Sequence, residues 1–113
     1  MEITEERFED AGEKDADGYY DYYYSGVVYL IRDGGLDCKA RSYDDEPDLV
    51  SILKLEIDEN PIAGADLISG ASHHNEVERE LIANVLKALL AMGHQRIQIL
   101  TSDGYQPIEV SSP

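Results

Sequence analysis

The chain has one cysteine, Cys38, so it closes no internal disulfide, which fits a reducing compartment. It is also poor in bases: nine Lys and Arg stand against 24 Asp and Glu, a formal net charge of −15 over 113 residues. Backbone recognition of nucleic acid needs clustered Lys and Arg, so a general phosphate binder is excluded. Polybasic attachment to anionic lipid is excluded on the same ground. No apolar run exceeds five residues (Val27–Ile31 and Ala88–Met92), far short of the ~20 that span a bilayer. No secretory leader is expected, because the first ten residues carry four Glu and one Asp where a basic and then apolar stretch would sit. These absences together lead to the expectation of a cytoplasmic protein.

Catalytic signatures are missing too. There is no HExxH pattern and no glycine-rich phosphate cradle, since Asp33-Gly34-Gly35 reads only as a turn. No strand-turn-serine motif places a Ser-His-Asp set. Cys38 alternates with apolar residues and reads as an inert buried thiol. His74 and Glu78 share a helix face, but His94 lies a helix length away and completes no metal set. Glu13, Asp15, Asp17, Gly18 and Asp21 fall at calcium-loop positions, yet Tyr24 stands where a bidentate Glu is required. Pro47-Asp48 and Asp37-Cys38-Lys39 hold the pieces of a carboxylate nuclease motif in reversed order. The expectation is therefore a non-enzyme with no metal and no cofactor.

What is present is acid and tyrosine. Residues 1–26 hold nine acids and two bases, and residues 1–18 offer only Met1, Ile3 and Phe8 as sizeable apolar groups. That composition predicts a mobile acidic arm over 1–18, followed by a single domain over 19–113. Aromatic and β-branched residues then predict a strand over Tyr22–Arg32, and the Gly34-Gly35 turn leads into a second over Leu36–Tyr43. In the latter, Leu36, Cys38, Ala40 and Ser42 alternate with a polar set. Leu49–Ile57 predicts a third strand with Leu49, Ser51, Leu53, Leu55 and Ile57 on one face. A loop is expected over 58–70. Ser72–Met92 carries a broad apolar stripe and predicts a helix of ~30 Å, closed by Gly93. Strands over His94–Thr101 and Tyr105–Val110 complete the chain, with Pro107 marking an edge. The expected fold class is α+β: a small antiparallel sheet of order β-β-β-α-β-β with one long amphipathic helix across one face.

Two segments point to recognition. Tyr19-Tyr20-Asp21-Tyr22-Tyr23-Tyr24 holds five of eight tyrosines, and alternation puts Tyr20, Tyr22 and Tyr24 on one face. Both faces of such a strand cannot be buried under one helix, so some rings stay at the surface, where Tyr supplies rigid contact area. The turn Asp44-Asp45-Glu46-Pro47-Asp48 concentrates four carboxylates. Carboxylates on a folded face reproduce the negative field of a nucleic acid and attract basic clefts. The bland readings are an ordinary edge strand and acid kept for solubility. The expected partner-binding residues are Tyr20, Tyr22, Asp44, Asp45, Glu46 and Asp48. The expected partner is a basic protein, a nuclease or other nucleic-acid-processing factor, which this chain binds and inhibits. Nucleic-acid mimics, immunity proteins and phage-borne inhibitors share this composition, although no motif ties the chain to any of them. The alternative expectation is a self-associating scaffold subunit, a homodimer through the tyrosine strand.

Overall fold

The computed structural model describes residues 1–20, 23–64 and 76–108. Seven strands, β1 (Glu2–Ala11), β2 (Tyr23–Asp33), β3 (Leu36–Tyr43), β4 (Leu49–Ile57), β5 (Asn60–Pro61), β6 (Arg96–Thr101) and β7 (Gly104–Ile108), form one sheet. Its order is β1-β2-β3-β4-β6-β7, with the short β5 on the free stretch of β4. Neighbours are antiparallel except β4 and β6, which run parallel. That parallel pair requires a crossover, and α1 (Glu76–Ala91) lies within it.

The expected architecture is corrected here. Strands make up 56% of the described residues, and the 16-residue helix is about 24 Å long rather than spanning the sheet. Glu2–Ala11, within the segment expected to be an arm, form the edge strand β1 along ten consecutive pairs with β2. Pattern reading passes over it because its side chains face water; the order comes from backbone hydrogen bonds to β2, which leave no hydrophobic periodicity. Ser72 to Asn75, expected to open the helix, lie outside the described residues.

Turn chemistry sets the register. Gly34 and Gly35 take φ of 58° and 121°, so Asp33 faces Leu36 in a two-residue hairpin. Asp58 and Glu59 make an equivalent turn between Ile57 and Asn60 at φ of 51° and 67°, unusual for side-chain-bearing residues. In β3 the expected alternation holds: Leu36, Cys38, Ala40 and Ser42 are all buried. In β4 it changes phase. Lys39 pairs with Lys54 but Ala40 pairs with Ile52, leaving Leu53 as a bulge. Val50, Ile52, Leu55 and Ile57 therefore all point inward, where strict alternation splits them between faces.

The core lies between this face of the sheet and α1. Ile31, Leu36, Ile52, Val50, Val85 and Leu89 are its largest fully buried side chains. Val77, expected on the helix's inner stripe, is two-thirds exposed. Gly93 at φ 101° ends the helix as its C′ residue, its N–H donating to the Leu90 carbonyl at 3.1 Å. His94 then turns inward. Its Nδ1 lies 2.9 Å from the Pro47 carbonyl oxygen and its Nε2 3.1 Å from the Tyr29 hydroxyl. A carbonyl only accepts, so Nδ1 donates to Pro47, while Nε2 and the Tyr29 hydroxyl share the second hydrogen bond. That link ties the helix exit to the β3–β4 turn and to β2.

Candidate functional site

β1 and β2 outrun the rest of the sheet. β3 pairs with β2 only as far as Gly26, whereas the hairpin continues through Tyr23 and Ala11, then through a Lys14–Tyr20 bridge. At roughly 3.3 Å per residue the projection is ~20–25 Å. The molecule is accordingly elongated, 57 × 29 × 29 Å, with a radius of gyration of 15.8 Å against about 13 Å for a compact chain of this length.

The tip is a tight turn built by Asp15. Its carboxylate accepts from the N–H groups of Asp17 and Tyr19 at 3.0 and 2.9 Å, and its own N–H donates to the Tyr19 carbonyl at 2.8 Å. Gly18 supplies the positive φ, 86°. Asp15 is thus committed to the turn, and the calcium-like spacing serves a hairpin tip.

Tyrosines line both faces of the projection. Tyr19, Tyr20, Tyr23 and Tyr24 are 72%, 44%, 49% and 48% exposed. On the side that carries α1 further along, the Tyr20 and Tyr23 rings meet at 5.7 Å, and the Lys14 ammonium sits 5.2 Å from the Tyr20 ring centre. The Tyr23 hydroxyl donates to the Glu9 carboxylate; that bond, then burial, raises its pKa. On the open side, Tyr24 and Phe8 each contact Tyr43, at 5.7 and 5.8 Å between ring centres. Gly26 lies between Phe8 and Tyr43, and a Cβ there would collide with the Ser42 carbonyl oxygen. The Arg41 guanidinium stacks 4.8 Å from the Tyr43 ring centre and donates to the Tyr105 hydroxyl at 3.0 Å. Around these rings stand Glu9, Asp10, Glu13 and Asp17, all exposed.

The acidic turn is placed differently. The Asp44 carboxylate accepts from Ser25 at 2.7 Å and pairs with Arg7, stapling the turn to β2 and β1. The Ser25 bond, followed by Arg7, lowers its pKa. Glu46 and Asp48 both pair with Arg96, at 2.9 and 2.8 Å, and Arg96 lowers the Asp48 pKa chiefly by hydrogen bonding. Of the four carboxylates only Asp45 has no such partner among the described residues. Tyr20 therefore sits on the exposed hairpin, Tyr22 lies outside the described residues, and the 44–48 turn forms an ion-paired clasp beside the hairpin's base. Glu9, Asp10, Glu13 and Asp17 are not among the partner-binding residues expected from sequence, although the charge count of residues 1–26 carries the signal.

Elsewhere the surface offers little chemistry. Burial pushes the Cys38 thiol up to about 12, which keeps it a thiol at neutral pH. A depression of about 360 Å³ on the open face is lined by charges that pair with each other, Arg32 with Asp37 and Lys54 with Glu56. Among the described residues no cluster of three or more His, Cys, Asp or Glu could hold a metal ion, and no helix is long and apolar enough to cross a membrane. Comparison with family models, curated proteins and solved structures finds no match to this chain.

Proposed function

We propose that the chain is an interaction protein whose projecting hairpin enters a basic cleft of a nucleic-acid-processing partner and inhibits it by occlusion. One observation supports this reading above the others: exposed tyrosines on both faces of a protruding, acid-rich hairpin. Rigid aromatic rings supply desolvated anchors, and the surrounding carboxylates supply attraction and steering toward cationic surfaces. Both are placed on an extension that a cleft can surround. The 44–48 turn holds the hairpin's base in position, with Asp45 adding charge near it.

The test is capture of the partner from native cells, followed by competition. Nucleic acid should displace the protein from the captured enzyme, and added salt should weaken the complex. Changing Glu9, Asp10, Glu13 and Asp17 to their amides should slow association by about tenfold or more at low ionic strength. A partner indifferent to nucleic acid and to salt would exclude occlusion by mimicry.

A further inference from the structure

Among the described residues the sheet ends in two edges, β1 and β7, whose outward N–H and C=O groups have no strand beside them, and the two differ. β7 is five residues long and contains Pro107, which has no N–H to give. β1 is ten residues long, keeps an unbroken register with β2 and contains neither proline nor glycine. Edge strands are ordinarily blunted by charge, proline, bulges or shortness; β1 is long, regular and free of proline, and its protection is acidic charge, which repels another acidic strand but not a basic one. Its one base, Arg7, is drawn to Asp44.

What β1 presents is five carboxylates, distributed by alternation: Glu2, Glu6 and Asp10 on the open face, Glu5 and Glu9 on the helix face. Each face also offers one apolar residue, Phe8 and Ile3 respectively. Side chains directly across a strand pair interact, and like charges there repel. A second copy of this chain would set one net −4 strand against another, and nucleic acid is anionic throughout. The complement is an extended polypeptide with Lys or Arg on both of its faces.

We infer that β1 is the docking edge for an extended, Lys/Arg-rich segment of the basic partner, which adds to the sheet as a further strand. Main-chain hydrogen bonds hold the segment and alternate side chains select it, as in other strand additions. The inference rests on the proposed function for the existence of a basic partner, and it states how that partner is gripped.

The probe is a synthetic peptide of β1's length built on a Lys-Lys-Val-Thr repeat, which puts Lys on both faces of an extended strand, with two isomers N-methylated at alternate positions. Only one of the two alternate sets of peptide N–H groups can face β1. With the full-length chain, the parent peptide should bind and slow hydrogen exchange of alternate β1 amides. One methylated isomer should lose about tenfold or more in affinity while the other binds like the parent, since several hydrogen bonds are removed together. Converting Glu2, Glu6 and Asp10 to amides should weaken all binding. Equal behaviour of the two isomers, in either direction, or unchanged exchange in β1, overturns edge docking and leaves the hairpin reading standing. Conversely, a captured partner indifferent to salt and nucleic acid removes the hairpin reading while the peptide result stands alone.

Discussion

At the residue scale, the most revealing positions are those where backbone and side chain disagree. Glu59 holds φ of 67° in a two-residue turn, a conformation that costs a non-glycine residue roughly 1–2 kcal/mol. Its neighbour Asp58 is better suited, because Asp tolerates this region and its N–H donates to the Gly35 carbonyl at 2.9 Å. Glu59 is exposed. Glu59→Gly should therefore stabilise the protein by about 0.5–1 kcal/mol, read as a higher urea midpoint at unchanged slope. Neither position carries the usual glycine signal, so sequence reading sees only a polar loop. Gly34-Gly35 and Gly93, by contrast, are legible in advance, because a glycine in those contexts has few other uses.

At the element scale, the 44–48 turn shows how a row of acids changes meaning when cations are folded against it. As a string it is a repulsive cluster. In the structure, Arg7 arrives from β1 and Arg96 from β6, each distant in sequence, and three carboxylates become clasps between strands. The pKa of Asp48 is lowered by Arg96, so its stabilising pairing is present above the unfolded value near 3.9 and lost as pH falls through the lower folded value. Arg96→Ala should lower the urea midpoint at pH 6, and the gap to the parent protein should close below about pH 3–4. Because the comparison is between two proteins at each pH, the falling net charge of the rest of the chain cancels. A gap that persists in acid would assign the role of Arg96 to packing. The strand β4 carries a second lesson: its bulge lets two phases of alternation both reach the core, which no count of period two anticipates.

At the scale of the whole molecule, the core and the proposed recognition site are separated in space. Every buried core side chain lies at or beyond Tyr29, while the rings and free carboxylates of the candidate site lie before it or at the hairpin's base. The projection should accordingly be removable. Replacing residues 12–22 by Asn-Gly, closed by the Ala11–Tyr23 pair, should leave the unfolding free energy within about 1 kcal/mol and shrink the radius of gyration. The same variant, which keeps β1, should associate about tenfold or more weakly with the captured basic partner. A large loss of stability would instead make the hairpin part of the fold's foundation.

The amino-acid order alone determines the local choices in this protein: glycine turns, the Leu36–Ser42 alternation, the apolar helix that ends at Gly93, and the excess of acid near tyrosine. These are short-range matters of dihedral preference and hydrophobic period, so a few neighbouring residues suffice. Tertiary structure alone decides that Glu2–Ala11 pair as an edge strand, that Arg7 and Arg96 pair with three carboxylates of the acidic turn, and that His94 bridges Tyr29 and Pro47. Each of those joins residues far apart along the chain through backbone hydrogen bonds or ion pairs. Such contacts leave no periodic trace in sequence, because their partners come together only when the sheet assembles.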